Sequence, residues 1–203
     1  MKRLDPAIAQ AITAAIHELE RCSCVEAVVE IRARSGSYAH ADARFASLVA
    51  FVTLLVLLFS PWTFAPVWVA VDVAIVWFIA LFVRSDRARR FMTTRAEREA
   101  QVRSGAAAAF HERGVANTSG ETGVLVYLSV LERRIELLAD RGVLESVPSL
   151  EWNRLVNEAR ERNATPETLA GLVRALMPLL ERHLPVRDGD VDELCSVPRF
   201  SDE

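Results

Sequence analysis

Between Phe45 and Val71 the chain carries no charged residue, and the apolar run continues to Val83 with Asp72 as its only interruption. In a chain of 203 residues nothing constrains the fold more. Two helices this apolar all round need protein on every side or lipid around them. The rest of the chain is too small to wrap both as a soluble core. Pro61 and Pro66 divide the run into 45–62 and 64–83. Each is roughly 18–20 residues, enough at ~1.5 Å per residue to cross a ~30 Å hydrocarbon layer. A two-helix transmembrane hairpin is therefore expected at 45–83.

Basic residues set its orientation. Arg32, Arg34 and Arg44 precede the first span, Arg84, Arg87, Arg89 and Arg90 follow the second, and the connecting Ser60–Pro66 has none. The positive-inside preference then puts both termini in the cytoplasm, with two spans and a small outer loop near Trp62 and Trp68. The arginines 84, 87, 89 and 90 are expected against anionic headgroups, making membrane lipid the first partner. Asp72 falls about 12 Å below the outer end of its span, where an ionisable group costs roughly 2.5–3.5 kcal/mol. It is expected to make an intramembrane contact: to another membrane protein, within its own hairpin, or to its own copy in a homo-oligomer. With no basic residue in either span, an ion path has little support.

The formal net charge of −3 gives no reason to expect a nucleic-acid partner. Charge is nonetheless uneven. The stretch 84–103 holds seven Arg against Asp86, Glu97 and Glu99, and the tail from Pro185 is acidic. Cys22, Cys24 and Cys195 make no disulfide framework. Cys22 and Cys24 offer a thiolate pair with His17 close by, but reduced thiols at a helix end is the simpler reading. Residues 1–20 are too polar for a signal peptide.

The flanks read as one α/β domain in two pieces. Asp5-Pro6 caps a first helix whose apolar face is Ile8, Ile12, Ala15, Ile16 and Leu19. Val25 to Arg34 alternates as a strand with one face on a core. After the hairpin, Ser85 or Asp86 opens a long helix to about His111, stopped at Gly114. Thr122 to Leu131 reads as a strand buried on both faces, Glu132-Arg133 as a turn, and Arg134 to Asp140 as its hairpin partner. Ser149 and Thr165-Pro166 start two final helices, the second kinked at Pro178. The first strand has no near neighbour, so it must pair with strands beyond residue 122. The expected organisation is 1–44, helix and strand of the domain; 45–83, hairpin; 84–185, the rest of the domain; 186–203, an acidic tail.

The segment Thr122–Val143 resembles the TPM-domain family. Its marks are Gly123-Val124-Leu125 in a buried strand, Glu132-Arg133-Arg134 at the turn, and Ala139-Asp140-Arg141-Gly142 after the second strand. Glu26 opening the first strand, Trp152 starting a helix and Asp192-Glu193-Leu194 in the tail extend the likeness. The family includes a plant thylakoid-lumen protein, a photosystem II repair protein, a worm acetylcholine-receptor auxiliary and many bacterial membrane proteins. The resemblance implies a small mixed sheet in an α/β/α sandwich, here interrupted by the transmembrane hairpin, in a bacterial inner membrane. Cys24-Val25 departs from the Ser/Thr-Gly that often precedes the strand-one acid. Many members are exported, whereas this chain is expected to face the cytoplasm, so lumenal roles do not transfer.

Some members are associated with acid phosphatase activity and divalent-metal binding. The residues lend this little support. Positions six beyond Cys22, Cys24 and Cys195 are Val28, Glu30 and Ser201, where a thiol phosphatase needs Arg. Asp188-Gly189-Asp190-Val191 is followed by Asp192, which breaks an aspartyl-nucleophile pattern, and the run lacks the Gly and Glu of a calcium loop. A divalent cation such as calcium would take oxygens from distant carboxylates. Asp140 is the first candidate, then Glu26 and Glu121; the plainer role for Asp140 is a helix or turn cap. The leading expectation is a non-enzymatic accessory or assembly factor for another membrane protein, and the alternative is a weak metal-dependent acid phosphatase.

Overall fold

A computed structural model describes residues 4–61, 65–83, 85–186, 194 and 197–201. Trp62, Arg84, Cys195 and the acidic run 187–193 lie outside these. Helices are α1 (Pro6–Cys22), α2 (Ala39–Phe59), α3 (Pro66–Phe82), α4 (Asp86–Met92), α5 (Arg95–Glu112), α6 (Arg141–Ser146), α7 (Ser149–Glu161) and α8 (Pro166–His183). Strands are β1 (Glu26–Arg32), β2 (Gly123–Ser129), β3 (Arg134–Ala139) and β4 (Arg199–Ser201). The chain packs as two units, Met1–Gly36 with Glu99–Glu203, and Ser37–Arg98.

The first unit is a mixed four-stranded sheet in the order β3-β2-β1-β4. β1 runs parallel to β2, from Glu26 opposite Gly123 to Arg32 opposite Ser129. β2 and β3 form the antiparallel hairpin read from sequence, with Arg133 at φ 52° in its turn. Successive β1 residues point to opposite faces. Ala27, Val29 and Ile31 join Ile12, Ile16 and Leu19 of α1, Trp152 of α7 and Leu169, Leu172 and Leu176 of α8. Val28 joins Leu125 and Tyr127 under Val102, Ala106, Ala109 and Phe110 of α5. Helices thus cover both faces, and β1 is buried on both. The single-faced strand expected from its alternation is corrected: the polar positions Glu26 and Glu30 are themselves inside.

Three further differences have local causes. The long helix expected from residue 85 to 111 breaks at Thr93–Thr94. Glu97 N–H donates to Thr94 Oγ1 (3.2 Å) and Thr94 N–H to Glu97 Oε2 (2.7 Å), a capping box that starts α5 afresh. Gly114, at φ 67°, ends α5 as expected. The short α6 was not expected, and Asp140 caps it, the plainer of the two roles expected for that residue. Within the tail, Arg199–Ser201 adds β4 to β1, with Glu30 opposite Arg199.

In the second unit α2 and α3 pack together, and Trp77 Nε1 donates to Ser47 Oγ at 3.3 Å. Joining the start of α2 to the end of α3, that contact makes the pair antiparallel. Ala46, Ala50 and Ala80 are buried between them and allow a close approach. α2 begins six residues before the apolar run, taking in Asp42, whose charge suits a helix N-terminus. Arg89 of α4 grips Asp42 with two 2.8 Å hydrogen bonds. Arg98 closes the end of α4 by donating to the carbonyls of Arg90 (2.8 Å) and Thr93 (2.6 Å).

Candidate functional site

The second unit carries an unusual surface. Phe51, Val56, Leu58, Phe59, Val67, Trp68, Ile75, Phe78, Ile79 and Phe82 are all exposed, Phe59 by 84%. Only 11% of the apolar stretch of α2 is buried, so the described residues of this chain leave most of it uncovered. Among the described residues, α2 is the one helix long and apolar enough by itself to cross a membrane. α3 has 17 residues and is followed by α4, turned 105° from it. The two spans expected at 45–62 and 64–83 are therefore seen as one helix of spanning length and a shorter partner.

Asp72 lies exposed on α3, and no hydrogen bond or ion pair joins it to another described residue. Of the contacts weighed for it, one inside its own hairpin is not present among the described residues. The arginines that follow α3 divide by role. Arg87 is exposed, whereas Arg89 is 7% exposed and spent on Asp42. Arg90 is half-buried, and its Nε has no hydrogen-bond partner among the described residues. Phe91 beside it is 81% exposed.

In the first unit the backbone brings the three candidate carboxylates to one end of the sheet. Glu26 pairs in register with Gly123, Asp140 N–H donates to Gly123 O (2.8 Å), and Gly142 N–H donates to Glu121 O (2.9 Å). Their side chains part. Asp140 Oδ1 accepts from Arg141 N–H at 2.8 Å and caps α6, while its Oδ2 is buried without a hydrogen-bond partner among the described residues. Glu26 is buried and accepts the Leu194 N–H at 3.1 Å. Glu121 is exposed, at φ 52°. Among the described residues no three His, Cys, Asp or Glu converge as a metal site. Cys22 donates to Leu19 O, and burial, then Glu181, pushes its thiol pKa up, away from the thiolate a metal needs. Clefts of about 230 Å³ between α7 and α8 and about 120 Å³ beside Arg113 fall below the roughly 300–1,000 Å³ of small-molecule sites.

Sequence reasoning missed the polar groups sealed in the sheet. Glu30 is fully buried and held by Arg113 through 3.0 and 2.9 Å hydrogen bonds. Its signal was present: a carboxylate in the middle of an otherwise apolar strand. Glu132 accepts from Ser35 N–H at 3.0 Å and from the Ser129 hydroxyl. Ser35 Oγ meets Tyr127 OH at 2.8 Å. A Cβ on Gly105 would come within 2.6 Å of that phenol, and one on Gly36 would collide with Gln101. The Glu132-Arg133-Arg134 motif is thus a structural clamp: Glu132 holds the departing chain at Ser35, and Arg134 pairs with Glu99 at 2.5 Å where the chain returns.

This is a mixed α/β domain carrying an apolar helical insertion. Its fold is similar to the NMR structure of BA42 protein from the psychrophilic bacteria Bizionia argentinensis sp. nov., with TM-score 0.55 and 14% identity over 98% of this chain and 97% of that one. At that identity the likeness concerns the fold alone. No family model and no curated protein matches the chain.

Proposed function

We propose that the chain is an integral protein of a bacterial inner membrane, with α2 and α3 crossing the bilayer as a pair and both termini in the cytoplasm. The sheet domain, TPM-like in its β2–β3 hairpin, serves there as a non-enzymatic accessory or assembly factor for another membrane protein. The observation that carries this reading is the belt of exposed Leu, Val, Ile, Phe and Trp around the helix pair, since water-facing patches of that extent do not persist uncovered. Arg87 and Phe91 suit the headgroup boundary, and Asp72 supplies a polar contact between membrane helices. Two small clefts, and no convergence of three His, Cys, Asp or Glu among the described residues, favour assembly over chemistry. Alkaline carbonate washing should leave the protein in the membrane pellet, with tags at both termini shielded in sealed cells. Release by carbonate, or termini on opposite sides, refutes the placement. Crosslinking in membranes should recover a membrane-protein client, and none above background refutes the accessory role.

A second reading, a divalent-metal-dependent acid phosphatase, draws on the orphan Asp140 Oδ2. One oxygen is a fraction of the six to eight that calcium takes, and the described residues do not supply the rest. Phosphoester turnover with calcium, magnesium or manganese, abolished by Asp140→Asn, would establish it.

A further inference from the structure

Asp72 belongs to a regular feature of α3. Trp68, Asp72, Ile75, Ile79 and Phe82 are all exposed, and their spacing alternates four and three. That is the spacing of a helix–helix seam. It is separate from the face α3 gives to α2, where Val69, Val73 and Val76 are half-buried and Ala80 is buried. At about 100° per residue the two seams lie roughly a quarter turn apart. Among the described residues, this second seam of α3 is left exposed.

The chemistry of Asp72 selects what fits there. A carboxyl in an apolar surround needs a hydrogen-bonding partner. Residues 45–83 contain no Lys, Arg or His to pair with it. Of its hydroxyls, Thr53 donates to Val49 O and Ser47 accepts from Trp77 Nε1. A second copy inserted with the same topology presents the same carboxyl at the same depth. Carboxyl groups are self-complementary, since a carboxyl can both donate and accept a hydrogen bond. We propose that the free seam of α3 binds α3 of a second copy of this chain, parallel and two-fold related, with the two Asp72 side chains facing each other. The β-branched Ile75 and Ile79 fill the seam, and the single polar position fixes its register.

This inference rests on the membrane placement above, and the test keeps the two apart. Full-length protein with Cys22, Cys24 and Cys195 replaced by Ala is reconstituted at high dilution in phosphatidylcholine–phosphatidylglycerol vesicles. Single cysteines are placed at Ile75, Ile79 and, off the seam, Ala74. Oxidation should give disulfide-linked dimers at least tenfold faster at 75 and 79 than at 74. Asp72→Asn should keep that pattern, because an amide also donates and accepts, and Asp72→Leu should slow crosslinking about tenfold. Carbonate resistance is measured on the same samples. Protein that stays in the membrane but crosslinks without this periodicity, or equally well with Leu at 72, overturns the α3 pairing alone. Protein that washes out overturns the membrane placement, and the pairing with it.

Discussion

Replacing Glu132 by Ala tests whether the turn motif is structural. The carboxylate is 5% exposed and accepts hydrogen bonds from Ser35 N–H and from the fully buried Ser129. A hydrogen bond to a charged group is worth roughly 1.5–3 kcal/mol, and the two share one acceptor group, so their losses do not simply add. A destabilisation of about 3–4 kcal/mol follows. At a urea dependence of about 2 kcal/mol per molar, the unfolding midpoint falls by roughly 1.5–2 M. Glu132→Gln keeps an oxygen for Ser35 N–H, and its amide can donate to Ser129 Oγ, so it should lose only about 1 kcal/mol. The assay is urea unfolding of the full chain in detergent, followed by near-ultraviolet circular dichroism. Trypsin cleavage after Arg34 should rise in the Ala variant as Ser35 comes loose. A midpoint within about 0.5 M of the parent for Glu132→Ala, or equal losses for Ala and Gln, would refute the clamp.

Arg113→Met strands the Glu30 carboxylate with only the 3.4 Å contact from Arg32, and should cost about 3–5 kcal/mol. Pairing it with Glu30→Leu should recover most of that loss in the same urea titration, and failure to recover would show that the pair does more than neutralise itself. Burial pushes the Tyr127 phenol up, with the Ser35 hydrogen bond acting against it. An acid raised in the folded state favours folding fully below its unfolded pKa, about 10. Stability should therefore hold to about pH 10 and fall as pH rises through the folded value, and Tyr127→Phe should flatten that fall. An unchanged slope in the Phe variant would assign it to another group.

The parts of the fold that sequence made visible are those where one period repeats. α1 and α8 have a clear 3.6-residue stripe, and the β2–β3 hairpin has two apolar runs about a polar turn. Thr94 and Glu97 also spelled out a capping box, which the apolar and basic context around them obscured. β4 left no such trace. Arg199-Phe200-Ser201 is too short to show alternation, and what makes it a strand is the free edge of β1, a tertiary fact. The carboxylate corner was half legible. Strand ends put Glu26, Glu121 and Asp140 at one end of the sheet, but side-chain direction decided otherwise: Glu26 meets Leu194 and Asp140 turns to its own helix. Asp72 stood out at once as a lone acid in an apolar run. Which side of α3 it occupies depended on which stripe Ala46 and Ala50 selected.

The position of the apolar insertion follows from the sheet. Parallel strands cannot be joined by a tight turn; the chain must cross back over the face, which takes a dozen or more residues. The β1–β2 connection is that crossover, and α5 carries it over Val28, Leu125 and Tyr127. A connection already long is the cheapest place to lengthen, since each doubling of a loop costs only about 0.6 kcal/mol in closure entropy. Each unit then shortens the effective loop. In the first, Gly36 lies against Gln101, and Ser35 is held by Glu132. In the second, Asp42 near the start is locked to Arg89 near the end, and Arg44 reaches Met92 O at 3.2 Å. The sheet domain thus sees a short closed crossover whatever Ser37–Arg98 does. That is why an apolar helix pair can interrupt the sheet domain without unpairing β1 from β2.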